Sequence, residues 1–263
     1  MPTLRIGKTR HYFRLEGRPG LPALVLAHPI GADHCIWDLV LPALAQHFHV
    51  LRYDLRGHGG SELPAGECSL PQLADDLLAL TSALGISRFS VGGVSLGAMV
   101  AIQAAATAPQ CIDALVLCSA ALRLAPPPGG WDQRAQTALT QGMAPLAAAM
   151  VARMFSPACQ LGCAPFVATL KTVFTQTDPS GYAACCAVLR DADLGGLVAK
   201  VKAPSLLVYG ALDPLIDAPT AQALAAALPG GQYLELDCGH YPMVELPGAF
   251  ADAALRFMNA KAG

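Results

Sequence analysis

Short apolar runs alternate along the chain with longer stretches rich in Ala and Leu. Six runs have the length and the β-branched, aromatic and leucine content of buried strands: residues 24–27, 50–53, 89–91, 115–118, 206–209 and 233–236. Helical patterns lie between them, for instance at residues 70–84 and 218–228. Strands that alternate with helices predict a mostly parallel central sheet with helices on both faces.

This alternation stops after Cys118. Residues 122–198 contain no strand-like run, and the Pro/Gly-rich residues 126–130 open the stretch as a hinge. Helical patterns rich in Ala, Leu and Met follow, and strand-like sequence resumes at Ser205. We therefore expect a core domain of residues 1–121 and 199–263, interrupted by a helical cap of residues 122–198, called the insertion below.

Composition and charge exclude several classes of protein. Hydrophobic residues make up 54% of the 263 residues and charged residues 14%, which excludes a disordered chain. Lys plus Arg is 17 against 19 for Asp plus Glu, so no basic excess is available for nucleic acid, and we expect no nucleic-acid partner. The apolar runs end well short of the ~20 residues of a membrane span, and the first residues lack a signal-peptide layout. We expect no membrane association.

The nine cysteines are used as small apolar residues. Several lie in apolar stretches, as Cys118 does, which favours a reduced, cytoplasmic protein. Cys159 and Cys163 are four residues apart without a second pair, so no zinc-finger spacing is present and we expect no metal. The adjacent Cys185 and Cys186 lie in an apolar helical stretch, where packing is favoured over redox chemistry.

A Gly-x-Ser-x-Gly motif at residues 93–97 carries the first sign of chemistry. It follows the predicted strand at residues 89–91 and precedes an Ala-rich helical stretch. A sharp turn between strand and helix needs small residues on both sides of the serine, and it lifts the hydroxyl clear of the sheet. Ser95 is therefore the candidate nucleophile, and the backbone amide of Leu96 is one candidate donor of an oxyanion hole.

A serine nucleophile needs a base and an acid that orients the base. Asp213 follows the strand at residues 206–209, and His240 follows the last predicted strand, so both lie at carboxyl ends of strands. Asp217 and Asp237 are alternatives to Asp213, although Asp237 is close to His240 in sequence. Asp213 as an ordinary turn residue before Pro214 is a further alternative.

The other histidines compete less well for the role of base. His11, His34, His47 and His49 precede the serine, and we expect none of them to lie in a strand-end loop with a partner acid. His28 also ends a strand, but it stands at the loop expected to form the oxyanion hole. In that loop Pro29 has no N–H, so Ile30 is the candidate for the second donor.

Residues 54–61 follow a strand and are rich in turn residues. We interpret them as a scaffold loop behind the site. Arg56 within them is expected to pair with a nearby acid rather than with a substrate.

Three features together are specific: residues 54–61, residues 93–97 and the late pair of Asp213 and His240. They resemble the α/β-hydrolase superfamily over nearly the whole chain, and within it the 3-oxoadipate enol-lactonases. Further likeness lies at residues 36–38 and 117–121, at Trp131 and at residues 178–191. The resemblance implies an α/β-hydrolase fold, Ser95, Asp213 and His240 as nucleophile, acid and base, and Trp131 as a cap residue facing the substrate.

The resemblance also implies an activity that needs no cofactor: hydrolysis of 3-oxoadipate enol-lactone to 3-oxoadipate in the degradation of aromatic compounds. The chain departs from the family pattern beside the reacting carbonyl, with residues 28–31 reading His-Pro-Ile-Gly and Ser95 followed by Leu-Gly-Ala. A carboxylesterase or lactonase with another small substrate, or a small-molecule receptor that retains the triad, therefore stays open.

An enol-lactone with a free carboxylate needs a cationic partner away from the reacting carbonyl. Arg134 follows Trp131 by one helical turn, so both can share one face of a helix. We expect Trp131 to cover the ring and Arg134 to hold the carboxylate. The alternative is an exposed arginine beside Asp132.

Overall fold

The fold is built on one eight-stranded sheet in a computed structural model that describes residues 2–64 and 68–260. The strands are β1 Thr3–Ile6, β2 Thr9–Glu16, β3 Ala23–Ala27, β4 His49–Tyr53, β5 Phe89–Val94, β6 Ile112–Cys118, β7 Ser205–Gly210 and β8 Gln232–Leu236. Their order across the sheet is β1-β2-β4-β3-β5-β6-β7-β8. β1 and β2 pair antiparallel with their neighbours, and all pairings from β4 to β8 are parallel.

The six predicted strands are therefore confirmed, and two strands were missed: β1 at the edge of the sheet and β2 beside it. β1 alternates between exposed and half-buried positions, and β2 mixes buried positions with exposed charged residues such as Arg10 and Arg14. A strand with one solvated face has no continuous apolar run, so a search for buried strands overlooks it.

Helices connect the strands and cover both faces of the sheet. They are α1 Leu41–Leu44, α2 Leu70–Ala83, α3 Leu96–Thr107, α4 Gly130–Gln141, α5 Ala144–Met154, α6 Pro157–Gly162, α7 Ala164–Gln176, α8 Pro179–Asp191, α9 Ala218–Ala227, α10 Pro242–Glu245 and α11 Pro247–Asn259. Short 3₁₀ turns lie at His34–Trp37 and Val198–Lys200. The predicted mostly parallel α/β-hydrolase sheet with helices on both faces is confirmed.

Two apolar cores lie on opposite faces of the sheet, because successive strand residues point to opposite sides. In β3, Val25 packs in the core that contains α2, α3 and α9, whereas Leu24 and Leu26 pack in the core that contains α11. β3 to β7 are therefore apolar at nearly every position, as a central parallel sheet requires.

Helices α4 to α8 lie between β6 and β7 in sequence, and residues 119–204, all of them described, contain no strand. The backbone of α8 in this part of the chain contacts the backbone of the loop of residues 54–61. A Cβ atom at Gly181 of α8 would lie 2.0 Å from the Gly57 carbonyl oxygen, so only glycine permits this approach. The loop of residues 54–61 thereby supports the helices above it.

None of the helices within residues 2–64 and 68–260 combines the length and the apolar character required to cross a bilayer.

Candidate active site

Ser95 is the single residue between β5 and α3, and its backbone is strained. Its φ of 53° and ψ of −115° are rare for a residue with a side chain. A Cβ atom at Gly93 would lie 2.4 Å from the Gly97 carbonyl oxygen, and one at Gly97 would lie 2.2 Å from the Ala27 carbonyl oxygen. The two glycines of the motif are thus required by close backbone approach, and the strained turn holds Ser95 at the end of the sheet.

His240 and Asp213 meet through a buried hydrogen bond. The distance from His240 Nδ1 to Asp213 Oδ2 is 2.7 Å, and both side chains are at most 1% exposed. The other oxygen, Asp213 Oδ1, accepts the Leu215 amide at 2.8 Å. This donor fixes the carboxylate, so the carboxylate in turn fixes the orientation of the imidazole ring.

The loops that carry these two residues are tied together. The Ala211 and Leu212 amides donate to the Leu236 and Cys238 carbonyls at 2.8 and 3.0 Å. A Cβ atom at Gly210 would lie 2.1 Å from the Gly239 carbonyl oxygen, so the ends of β7 and β8 approach as closely as backbones can. The two strands are parallel, and their register pairs Gly210 with Leu236. This register brings Asp213 and His240 together although they are 27 positions apart.

The competing acids lie elsewhere. Asp217 is exposed and caps α9 by accepting the Thr220 amide at 3.0 Å, and Asp237 is exposed beyond the end of β8. Of the three candidates, Asp213 alone contacts the His240 ring.

The loop after β3 lies beside Ser95 because β3 and β5 are neighbours, with Ala27 paired to Gly93. Ile30 in this loop lines the same cavity as Ser95. Leu96 begins α3, where the first amides of a helix have no acceptor within the helix. Ile30 thus lines the cavity of Ser95, and Leu96 follows Ser95 directly at the start of α3.

Two buried histidines hold this loop, and sequence reasoning missed their role. His28 Nε2 accepts the Leu55 amide at 2.9 Å, and its Nδ1 lies 2.8 Å from the Pro29 carbonyl. His58 Nε2 accepts the Gly31 amide at 3.0 Å. Each ring accepts a backbone N–H, so each is neutral. Burial lowers the pKa of His28, and it lowers the pKa of His58 to about 3; the repulsion that two protonated rings would exert on each other is the second cause.

One cavity lies above Ser95. Its lining is mostly apolar and comes from both the sheet core and the insertion: Pro29, Ile30, Ser95, Leu124, Ala125, Pro127, Trp131, Arg134, Met150, Arg153, Met154, Phe174, Tyr182, Leu189, Leu215, His240 and Tyr241. An apolar lining with a few polar groups is typical of a small-molecule site.

Trp131 and Arg134 both line the cavity, as their helical spacing predicted. The Arg134 guanidinium donates to the Tyr182 hydroxyl and lies 5.7 Å from the centre of its ring. The alternative that placed Arg134 beside Asp132 is wrong, because Asp132 forms its ion pair with Arg190 at 2.6 Å on the outer surface.

Sequence reasoning missed a second arginine of the cavity, Arg153 of α5. Burial lowers the pKa of Arg153, and the positive charge of Arg134 lowers it further. Neither arginine forms an ion pair within the described part of the chain. The two guanidiniums belong to different helices, so no pattern along one helix relates them.

Two expectations about the remaining charged residues have opposite outcomes. Arg56 donates to both carboxylate oxygens of Asp76 at 2.7 and 2.8 Å, which confirms the predicted ion pair. The expectation that His34 does not lie in a strand-end loop with a partner acid is wrong, because His34 follows β3 and its Nδ1 lies 2.8 Å from Asp54 Oδ1. His11 lies within β2 and not in a strand-end loop, as expected, although its Nε2 lies 3.5 Å from Asp76 Oδ1.

Proteins similar to this chain include enol-lactonases. 3-Oxoadipate enol-lactonase 2 of Acinetobacter baylyi is 28% identical over 92% of this chain and 91% of its own length. The crystal structure of the enol-lactonase from Burkholderia xenovorans LB400 superimposes with a TM-score of 0.95, at 34% identity, over 98% of this chain and 100% of that one. A hydrolase from Pseudomonas aeruginosa PA01 superimposes with a TM-score of 0.92, at 36% identity, over 98% and 97% of the two chains.

A family model for the alpha/beta hydrolase fold matches residues 22–247, from the strand before the candidate oxyanion loop to the residues after His240. The match contains Ser95, Asp213 and the insertion. The chain therefore belongs to the alpha/beta hydrolase fold family, and it is a hydrolase.

Proposed function

We propose that this hydrolase opens a small lactone that carries a free carboxylate, 3-oxoadipate enol-lactone, by means of a Ser95-His240-Asp213 triad. One observation carries the proposal: Ser95 and His240 share a largely apolar cavity with two arginines that have no acidic partner in the described chain. The insertion of residues 122–198 acts as the cap, since it supplies both arginines and Trp131.

In the first half of the reaction, His240 Nε2 takes the proton of the Ser95 hydroxyl as the oxygen attacks the lactone carbonyl. Asp213 holds the other ring nitrogen and stabilises the imidazolium that forms. The Leu96 and Ile30 amides donate to the oxyanion, and such donors act strongly in a cavity shielded from water. Collapse of the tetrahedral intermediate breaks the ring C–O bond and leaves an acyl group on Ser95.

The leaving group is an enolate oxygen, which takes the proton from His240 and becomes a ketone by tautomerisation. In the second half, His240 removes a proton from water, the hydroxide attacks the acyl carbon, and Ser95 regains its proton as the acid departs. Each step transfers a proton or an acyl group, so the proposal needs no cofactor and no metal at this site.

The arginine pair supports an anionic substrate. Two neighbouring cations in a partly desolvated cavity repel each other, and the lowered pKa of Arg153 reflects both burial and that repulsion. A carboxylate relieves the repulsion and accepts paired N–H donors from a guanidinium fork. The similar proteins named 3-oxoadipate enol-lactonase support this substrate class.

The test is a comparison of an anionic enol-lactone with a neutral aryl ester of similar size. We expect Arg134→Met and Arg153→Met each to raise KM for the anionic lactone by about 10- to 100-fold, the size expected from losing a charge-assisted hydrogen bond. KM for the neutral ester should change by less than about threefold.

Arg190→Met is the matched control, because Arg190 is a cap arginine that pairs with Asp132 and Asp191 on the surface. It should leave both substrates unaffected. Equal losses on both substrates in the two cavity variants would contradict carboxylate recognition. If the protein instead binds the lactone without turnover, it is a receptor that retains the triad, and the proposed reaction is wrong.

A further inference from the structure

A second cluster of reactive side chains lies on the 3₁₀ turn after β3, outside the Ser95 cavity. Asp33, His34 and Cys35 place a carboxylate oxygen, an imidazole nitrogen and a thiol sulfur within 4.8 Å of one another. His34 is nearly buried, while Asp33 and Cys35 are half-buried. The activity proposed above uses none of these groups.

The His34 ring is oriented as a metal-binding imidazole is. Its Nδ1 lies 2.8 Å from Asp54 Oδ1 and donates to that carboxylate, so the lone pair of the ring is on Nε2. Nε2 faces Cys35 Sγ at a distance of 3.6 Å. Histidine ligands of metals commonly donate their other ring N–H to a carboxylate, which fixes the tautomer and increases ligand basicity.

The 3.6 Å distance between His34 Nε2 and Cys35 Sγ is close to the distance between two ligands of one zinc ion. With Zn–S near 2.3 Å and Zn–N near 2.0 Å, a tetrahedral site separates sulfur from nitrogen by about 3.5 Å. Thiolate, imidazole and carboxylate together are a ligand set that suits zinc. We propose that Asp33, His34 and Cys35 bind one Zn²⁺ through three protein ligands, with Asp54 orienting His34.

The surroundings favour a cation at this position. Asp33 and His34 line an open groove together with Asp54 and with Gln176 and Thr177 at the end of α7, so an ion and a completing water can enter from solvent. The ligands Asp33 and Cys35 supply two negative charges when Cys35 releases its proton to solvent as the Zn–S bond forms, and these balance Zn²⁺.

The sequence prediction of no metal rested on the lack of a Cys/His pattern with zinc-finger spacing. Zinc fingers bind their ion through pairs of ligands on separate segments, whereas Asp33, His34 and Cys35 are consecutive residues of one turn. A tight turn brings neighbouring side chains together because Asp33 Oδ1 accepts the Cys35 amide at 2.8 Å.

The experiment measures Zn²⁺ binding to the metal-stripped full chain by competition with a chromophoric chelator, and uses Co²⁺ as a spectroscopic substitute. We expect one Zn²⁺ per chain and a thiolate-to-cobalt charge-transfer band in the near ultraviolet. Cys35→Ser should abolish the band and weaken Zn²⁺ binding at least 10-fold, in line with the loss of a metal ligand. Asp33→Asn should weaken binding about as much while it still caps the turn.

Cys163→Ser is the control, since Cys163 is also a half-buried thiol and lies beside another thiol, that of Cys159. It should leave stoichiometry, affinity and the cobalt band unchanged. Absence of the band in the unaltered protein overturns the proposal, and so does binding that Cys163→Ser weakens and Cys35→Ser does not. The cobalt spectrum is recorded on the unaltered protein. The proposal can therefore be tested even if one of the variants fails to fold.

Discussion

Two buried His–Asp pairs lie beyond the carboxyl ends of strands, one after β7 and β8 and the other after β3 and β4, and their nitrogen–oxygen distances are nearly equal. His240 Nδ1 lies 2.7 Å from Asp213, and His34 Nδ1 lies 2.8 Å from Asp54. Of the two rings, only that of His240 lines the cavity that contains the strained Ser95. A histidine held by a carboxylate is therefore insufficient evidence for a hydrolytic site, because the nucleophile, the oxyanion donors and the cavity decide its chemistry.

The surroundings of the two carboxylates differ as well. Asp213 accepts one backbone amide besides the His240 ring. Asp54 accepts the His34 ring and amide through one oxygen and the Gly60 amide through the other, so it ties three parts of the chain together. The His240 pair is accordingly expected to affect turnover, and the His34 pair to affect stability.

The two His–Asp pairs should differ most in kcat when the side chain next to each histidine, Ser95 or Cys35, is replaced by alanine. Ser95→Ala is expected to lower kcat by about 10⁵-fold or more, because the nucleophile is lost while binding persists. Cys35→Ala, which removes the group facing His34, should change kcat less than about twofold. Steady-state kinetics with an enol-lactone measures both, and unchanged melting temperatures show that the fold is intact. Near-normal turnover by Ser95→Ala would eliminate the triad.

Replacing the two acids gives the next largest effect. Asp213→Asn should lower kcat by about 10⁴-fold, because the amide no longer favours the required tautomer of His240. Asp54→Asn should cost about 1–3 kcal/mol of unfolding free energy, since donors in the buried loop lose an acceptor, and should lower kcat less than about tenfold.

Urea unfolding and initial rates of both acid variants test this division. If Asp54→Asn reduced turnover as strongly as Asp213→Asn does, the His34 pair would belong to the catalytic site.

A smaller, pH-dependent effect should come from His58, which holds the loop shared by both regions. Its folded pKa is about 3, below the unfolded value of about 6.5. Between these pH values the unfolded chain binds a proton that the folded chain does not, so stability is full above about pH 6.5 and declines as the pH falls.

His58→Gln lacks this titration. Its unfolding free energy should fall about 1 kcal/mol less per pH unit than that of the unaltered protein between pH 6 and pH 4. Urea unfolding at several pH values gives both slopes, and parallel slopes would show that His58 is protonated in the folded state.

Most of the sheet was predictable because its central strands are buried on both faces and are apolar at nearly every position. The order of the strands was not predictable, and neither were the partly solvated strands β1 and β2, since a strand that carries charged residues and has no apolar run gives a weak signal. Asp213 and His240 could be selected as residues following strands, but their contact depends on β7 pairing with β8.

The partners of individual charged side chains were less accessible. His34 and Asp54 are 20 residues apart, and their contact exists because β4 lies beside β3 in the sheet. Arg153 was not predicted to lie in the cavity. It shares the cavity with Arg134 because α4 and α5 pack together, and the hydrophobic periodicity of each helix does not specify that packing.

By itself, the sequence determined the serine turn, since the two glycines around Ser95 are a local requirement of a sharp strand-to-helix connection. It also determined the layered α/β class, because hydrophobic periodicity records which faces of each element are buried. Only the tertiary structure decided which histidine shares a cavity with Ser95, which acids lie beside each histidine, and that two arginines face one space. These contacts join residues distant in sequence, and they follow from strand order and helix packing, which a linear pattern does not specify.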